Sequence, residues 1–394
     1  MTSDYRPELV QRAFVGFIGA RLHPFWSFTV PRLRLIARYQ LSEDLIALRF
    51  ETNRAFNQQA ATSNTGWQGG QYLTLRVCID GVYHQRSYSL VGLAQQPLWW
   101  HHDDSPSLKK PRQHTVTIAI KPQGLVSDYL AQDIPLGSII ESSAPTGDFG
   151  LAKASMPAHI KSNQKKQAPL LFIAGGSGIT PMLGLITQAL AQGHPVTLLH
   201  YDRSTIPPFL SQWQQLDDRY PNFNYHLINT GDPRTYLANS RHLDIDSLLS
   251  LNLPLAETMI FACGSPHLLT ALYQVATDIS VTIGYPLRDN IIVERFGSGL
   301  TDPYINKTTD LTAHTVYLRA RQRQFSSDTT LLVAAEKADI RLAHGCRQGI
   351  CQLCRCNKVS GVVKNIQTGR ISGDGYEPIQ TCLSVALTEV VLDV

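Results

Sequence analysis

The chain has 394 residues, 43% of them hydrophobic and 17% charged, and carries a formal net charge of +4. That length exceeds one ordinary core and predicts two or three globular domains. The cationic residues are dispersed, with no basic run suited to a phosphate backbone, so nucleic acid is excluded as a partner. No run of about eighteen apolar residues suggests a membrane span.

In chain order, residues 1–29 form an N-terminal segment. Its stretch 9–28 is apolar but interrupted by Arg12, Arg21, His23 and Pro24, and it lacks the order of a signal peptide. It predicts a short amphipathic helix on the first domain. The alternative is an interfacial anchor, with Phe14, Phe17, Ile18, Phe25 and Trp26 facing lipid. From residue 30 to 149, short alternating runs at 45–50, 72–79, 87–91, 115–120 and 138–142 sit between turn signals, the pattern of an antiparallel barrel. The polar insertion 101–114 reads as a surface loop. Within this block Arg86-Ser87-Tyr88-Ser89-Leu90 lies on a strand. Gly124-Leu125-Val126-Ser127 opens a short helix at 128–130, a backbone nest suited to pyrophosphate, and Pro145-Thr146-Gly147-Asp148-Phe149 closes the block.

A polar linker at 161–168 marks a change of pattern. An apolar strand at 170–174 is followed by Gly175-Gly176-Ser177-Gly178-Ile179-Thr180-Pro181-Met182, a helix at 181–192 and a strand at 196–201. Buried strands alternating with helices predict a doubly wound parallel sheet. Glycines after a strand bring backbone against a pyrophosphate at the helix N-terminus, although a Gly-rich turn alone is a weak sign. A strand at 258–262 ends in Cys263-Gly264-Ser265-Pro266; alone, Cys263 reads equally as a small buried residue. Behind the 196–201 strand stands His200-Tyr201-Asp202-Arg203-Ser204, where signals conflict. Asp202 favours the free ribose of NADH, whereas Arg203 and Ser204 suit the 2′-phosphate of NADPH. The bland alternative pairs Arg203 with Asp202 or Asp217.

Five of the seven cysteines fall between Cys346 and Cys382. Odd number and tight clustering indicate a metal site in a reducing compartment, and the cytoplasm is expected. Cys346, Cys351 and Cys354 are spaced C-x4-C-x2-C, and Cys382 follows after 27 residues. This is the plant-type 2Fe-2S spacing, with Gly345 and Gly349 letting the loop wrap around the sulfurs. Structural zinc sites favour paired C-x2-C knuckles, and one such pair is present here. Cys356 exceeds the pattern and reads as structural.

Taken together, R-x-Y-S, GGSGITPM, CGSP and the cysteine loop resemble the ferredoxin–NADP reductase family with a C-terminal plant-type 2Fe-2S ferredoxin domain, over nearly all of 31–394. The domain order is similar to the phthalate dioxygenase reductase type. His23-Pro24-Phe25, Glu294-Arg295-Phe296 and the tail GVVKNIQTGRISGDG are closer to FAD-containing reductases that serve membrane fatty-acyl desaturases. The resemblance implies an antiparallel β-barrel flavin domain (30–165), an α/β parallel-sheet nucleotide domain (168–297), a linker (298–312) and an α+β, β-grasp cluster domain (313–394).

It also implies roles. Arg86 holds flavin phosphate, with Ser87 beside it, Tyr88 stacks on the ring and Ser89 meets the ring edge. Gly124, Val126 and Ser127 take a second phosphate, hence FAD, although the phthalate type carries FMN. Gly176, Thr180 and Pro181 lie along the nucleotide, Arg203 and Ser204 at its 2′-phosphate, and Cys263 and Gly264 at the nicotinamide. Glu294 and Phe296 lie beside the flavin. Cys346, Cys351, Cys354 and Cys382 hold the cluster.

The expected activity is transfer of electrons from NADPH, or NADH, through FAD to the cluster, with no catalytic acid or nucleophile required. The expected acceptor is a separate oxygenase, foremost a membrane-bound desaturase, with this chain a monomer. The rival expectations are the reductase of an aromatic-ring dioxygenase or other monooxygenase, a self-contained oxidase, and a flavin/iron–sulfur redox sensor.

Overall fold

The computed structural model describes residues 19, 23–60, 66–94, 96–98, 114–153, 167–232, 242–296, 313–344, 352–366 and 370–394. The N-terminal stretch to residue 18, most of the 101–114 insertion, the 297–312 linker and the start of the cysteine loop lie outside them. The chain divides into two compact units, Met1–Glu294 and Arg295–Val394.

The first unit opens with a six-stranded sheet made of β1 (Arg32–Ser42), β2 (Leu45–Thr52), β3 (Tyr72–Ile79), β4 (Val82–Ser89), β5 (Thr115–Ile120) and β6 (Ile139–Ser142). Helix α1 (Arg54–Ala60) follows β2, and α2 (Leu125–Asp128) follows β5. The strand order is β4-β3-β6-β1-β2-β5, and adjacent pairs run antiparallel. A bridge between Leu90 and Ile118 joins the two ends of that order, so the sheet closes as a barrel and hides its edges. Asp80 and Gly81, both at positive φ, make the two-residue turn between β3 and β4, whose twist matches the strands.

Alternation fills the barrel interior: Leu33, Leu35, Leu48, Phe50, Leu73, Leu75 and Val77 all point inward. The alternating runs locate β2, β3, β5 and β6 closely, but β4 begins five residues before the expected 87 and β1 was not expected. In β1 Arg32, Leu33, Arg34 and Leu35 alternate, with Arg34 paired to Glu51, but a register irregularity between Leu35 and Ala37 breaks the two-residue period and leaves the next positions only half-buried. Helix α2 begins three residues before the expected 128 and continues as a wider turn over Tyr129–Asp133.

The same unit contains a five-stranded sheet: β7 (Leu170–Gly175), β8 (Val196–Asp202), β9 (Phe223–Asn229), β10 (Met259–Gly264) and β11 (Ile291–Arg295), in the order β11-β10-β7-β8-β9. Pairs β10–β7, β7–β8 and β8–β9 are parallel. Helices α3 (Met182–Ala191), α4 (Leu210–Arg219), α5 (Ile245–Leu249) and α6 (Pro266–Ile283) cover it. From β7 the chain steps outward to β8 and β9, then returns to place β10 on the other side of β7. The carboxyl ends of β7 and β10 are therefore a topological switch point, where open parallel sheets leave a crevice.

The second unit builds a mixed sheet from β12 (His314–Leu318), β13 (Arg323–Ser327), β14 (Arg355–Ser360), β16 (Glu377–Gln380) and β18 (Val390–Leu392), in the order β13-β12-β18-β14-β16. Strands β15 (Val363–Asn365) and β17 (Ser384–Ala386) form a ribbon, and helix α7 (Leu331–Lys337) adds Leu331, Leu332, Ala334 and Ala335 to the core. Cys354 and Cys382 belong to that core. So does a cation: Lys358 is 0% exposed, and its Nζ donates to the carbonyls of Gly373 (2.9 Å) and Gly375 (2.6 Å). Among the described residues, no helix is long and apolar enough to cross a membrane.

Candidate functional site

Three expected residues from distant parts of the first unit converge. Ser89 ends β4, Cys263 lies near the end of β10 and Glu294 near the end of β11. The Ser89 hydroxyl donates to the Glu294 carboxylate at 3.4 Å across 205 residues of sequence. Burial raises the Glu294 carboxyl to about 8, with the Ser89 hydrogen bond opposing the rise, so at neutral pH it holds a proton. Cys263 is fully buried. Burial, and secondarily Glu294, push its thiol well above the ordinary range. It is a neutral thiol and no thiolate nucleophile. The arrangement therefore sets a protonated carboxyl and a hydroxyl bonded to it beside a small apolar sulfur.

The Gly-rich turn meets Cys263 directly. A Cβ on Gly178 would stand 2.1 Å from the Cys263 carbonyl oxygen and 2.8 Å from the Gly264 nitrogen, so only glycine fits there. Gly176 sits at φ +53°, with open space where a Cβ would project. That bare backbone leaves room for a group to approach the start of the helix. Thr180 is buried and Pro181 caps α3, so this pair fixes the helix start. Ser265 caps α6 by accepting from the Leu268 N–H at 3.3 Å.

At the end of β8, Asp202 is buried and its carboxylate accepts the Ser204 N–H at 2.7 Å. Ser204 is buried too, whereas Arg203 is exposed. The acid is thus committed to its own turn, leaving the guanidinium outward. His200, 1% exposed, lies 3.8 Å from Asp202. Burial lowers its pKa to about 4, opposed by Asp202 and the Gly176 backbone, so a neutral imidazole underlies the glycine turn.

On β4, Arg86 is exposed and Ser87 bonds Thr74 across the strand pair at 2.9 Å. Tyr88 packs against the barrel core, and its burial raises the phenol's pKa. Gly124 has φ +151° and, like Gly176, open space at its Cβ position. The N–H groups of Leu125, Val126 and Ser127 precede the first intrahelical bond, from Asp128 N–H to the Gly124 carbonyl. The Ser127 hydroxyl is used within the turn, accepting from Gln123 N–H and donating to the Gly124 carbonyl. Phe296 is half-buried and belongs to the second unit.

In the second unit the Sγ atoms of Cys354 and Cys382, both buried and free of disulfides, lie 3.1 Å apart. Two soft donors converging from separate turns suit a thiolate-held cluster. Cys346 and Cys351 lie outside the described residues. Sequence reasoning missed Thr381, whose N–H and hydroxyl both donate to the Cys354 carbonyl (3.0 and 3.3 Å), tying one cysteine's backbone to the other's neighbour. Cys356 is half-buried on β14. Burial, and then the Cys354 sulfur, push its thiol up to about 12.

A family model described as an oxidoreductase NAD-binding domain matches residues 172–274, and one described as a 2Fe-2S iron–sulfur cluster binding domain matches residues 316–387. The chain is an oxidoreductase that joins an NAD-binding domain to a C-terminal 2Fe-2S domain. The order of the two matched modules, NAD-binding before 2Fe-2S, is the one that the resemblance to ferredoxin–NADP reductases with an appended ferredoxin implies. An NADPH oxidoreductase of Mycobacterium tuberculosis is 26% identical over 94% of this chain and 86% of its own. A glycine betaine monooxygenase reductase subunit of Chromohalobacter salexigens is 24% identical over 82% of this chain and 86% of its own. An intact type IV self-sufficient cytochrome P450 monooxygenase shares the fold, with a TM-score of 0.56 at 20% identity over 93% of this chain. This oxidoreductase spans 41% of that longer protein.

Proposed function

We propose that this oxidoreductase takes electrons from NADPH onto FAD held by the barrel, and passes them through the 2Fe-2S cluster to a separate oxygenase, foremost a membrane fatty-acyl desaturase. The domain limits proposed are 30–165 for FAD, 168–297 for nucleotide and 313–394 for the cluster, after a 298–312 linker. The observation that carries the reading is the meeting of Ser89, Cys263 and Glu294 at the switch point, beside a glycine turn open to a pyrophosphate.

A bound flavin would supply the step from a two-electron donor to a one-electron cluster. The chain's own residues do the rest. Arg86 and the backbone at Gly124, Val126 and Ser127 take the flavin phosphates, Ser87 stands beside them, and Tyr88 offers a flat neighbour. Gly176, Thr180 and Pro181 position the dinucleotide, with Arg203 and the adjoining Ser204 at its 2′-phosphate. Cys263 and Gly264 give the nicotinamide a small, dry surface. Glu294, protonated at neutral pH, holds the Ser89 hydroxyl at the strand end. Cys346, Cys351, Cys354 and Cys382 ligate the cluster.

The desaturase assignment rests on the similarity of the His23-Pro24-Phe25 entry, the Glu294-Arg295-Phe296 ending and the tail after Gly361. Pro24 and Phe25 are anchored to the barrel, since Arg32 donates to the Pro24 carbonyl and the Arg34 guanidinium lies 4.9 Å over the Phe25 ring. A second reading, the reductase component of an aromatic-ring dioxygenase or other monooxygenase, is favoured by the Chromohalobacter relative, a glycine betaine monooxygenase reductase subunit. The test is NADPH-driven turnover with purified acceptors. Support of a membrane desaturase but not of a ring-hydroxylating or betaine oxygenase component is expected; the reverse pattern overturns the desaturase assignment.

A further inference from the structure

In helix α3, which springs from the nucleotide-binding turn, Gly184, Thr187 and Gln188 share one face at helical spacing. That face lies against two loops of the barrel, and the contact is backbone on backbone. A Cβ on Gly69 would stand 2.4 Å from the carbonyl carbon of Gly184 and 2.4 Å from the nitrogen of Leu185. A Cβ on Gly184 would stand 2.8 Å from the Gly92 carbonyl oxygen and 3.0 Å from the Gly69 Cα. Neither neighbour is a flexible side-chain end, so neither can yield without moving a loop or the helix.

Polar bonds flank the contact. Gly69 N–H donates to Gln188 Oε1 at 3.0 Å, Gln96 Nε2 donates to Thr187 Oγ1 at 3.0 Å, and Trp67 Nε1 donates to the Gly92 carbonyl at 3.1 Å. An aromatic contact continues it, with Phe149 set edge-on to Phe261 of β10 at 5.6 Å.

The position of this contact in the chain gives it its consequence. Tyr72 and Ser89 are direct partners across β3 and β4. Gly69 precedes Tyr72 by three residues, and Gly92 follows Ser89 by three. On the other side, Thr180 and Pro181 alone separate α3 from Gly176–Ile179, the turn pressed against Cys263. A short, stiff path therefore runs from the nucleotide turn through α3 and the glycine contact to the strand end bearing Ser89.

We infer that Gly69, Gly184 and Gly92 form a backbone latch that sets the spacing between the flavin-facing strand end and the nucleotide turn, making Gly69 and Gly184 positioning residues for hydride transfer. The inference rests on the electron-transfer reading above. A larger residue at either glycine would part the barrel from α3 while leaving each domain's own cofactor contacts in place. Reacting atoms must approach closely and in register, so a small separation slows transfer far more than it weakens binding.

The experiment compares the full-length, cofactor-loaded chain with Gly184→Ala and with the double variant Gln96→Ala/Gln188→Ala, by anaerobic stopped-flow mixing with NADPH. In Gly184→Ala the flavin content and the half-saturating NADPH concentration should stay near wild type, while the limiting rate of flavin bleaching falls roughly ten- to hundredfold. The double variant removes tethers without adding bulk, so it tests the latch even where Gly184→Ala fails to fold; its limiting rate should fall by a smaller factor. Bleaching at the wild-type limiting rate in a folded, flavin-loaded Gly184→Ala chain, or in the double variant, overturns the latch. Failure of NADPH to bleach the wild-type flavin overturns instead the electron-transfer reading on which it rests.

Discussion

Glu294→Gln separates the burial of a carboxyl group from the burial of its charge. In the folded chain burial raises this carboxyl from 4.5 to about 8. Between those values the folded state binds a proton that the unfolded state has released, so this group's stabilisation is complete below pH 4.5 and is lost as pH rises through 8. Each pH unit in that window removes about 1.4 kcal/mol. The loss is about 2 kcal/mol at pH 6 and at most about 5 kcal/mol at pH 9, where ionisation is complete in both states. Glutamine keeps the shape and a hydrogen-bonding partner for Ser89, but cannot ionise. Relative to wild type, Glu294→Gln should therefore gain about 3 kcal/mol of stability between pH 6 and pH 9. Urea titration of the flavin-loaded chain, followed by the fluorescence of released flavin, measures this. A difference between the two chains that stays constant from pH 6 to pH 9 would show that Glu294 is not buried as a neutral acid.

Cys354→Ser and Cys382→Ser should each abolish the reduced cluster's EPR signal while flavin reduction survives, and Cys356→Ser should retain the signal; loss of signal in Cys356→Ser with retention in Cys354→Ser reverses the ligand assignment. Arg203→Ala should lower kcat/KM for NADPH by roughly ten- to hundredfold, the value of a charge-assisted phosphate contact, and leave NADH nearly untouched. Equal weakening of both nucleotides removes Arg203 from the 2′-phosphate. Lys358→Met strips two buried carbonyls of a charged donor and should destabilise the cluster domain by about 3 kcal/mol, read as an earlier loss of cluster absorbance in urea; an unchanged midpoint refutes a clamping role.

Much of the architecture was legible because its periods are clean. The runs at 72–79 and 115–120 coincide with β3 and β5, and GGSGITPM and CGSP fall at the ends of β7 and β10, where the strand order makes its switch point. β1 was hidden because its alternation stops at the irregularity after Leu35, and the early start of α2 because Leu125 and Val126 look as strand-like as helical. Family resemblance put Ser89 and Glu294 separately beside the flavin; their hydrogen bond had no signal in the sequence, since no local pattern joins residues 205 apart.

The glycine latch and the Thr381 anchor had no signal in one chain. Gly69 and Gly184 are ordinary loop and helix glycines until the two domains are placed together, and Thr381 gains its meaning from the Cys354 carbonyl it bonds. The buried Lys358 was equally silent, because lysine on a strand reads as an exposed face and its carbonyl partners lie on a loop beyond β15.

The proposed route from nicotinamide through flavin to cluster is tested most directly by anaerobic titration of the purified, cofactor-loaded chain with NADPH, following flavin absorbance and freezing samples for EPR. The account predicts that the flavin bleaches and the signal of a reduced 2Fe-2S cluster then grows in the same chain, in the absence of any other protein. A fully bleached flavin beside a cluster that stays EPR-silent, although dithionite reduces it, would contradict the account.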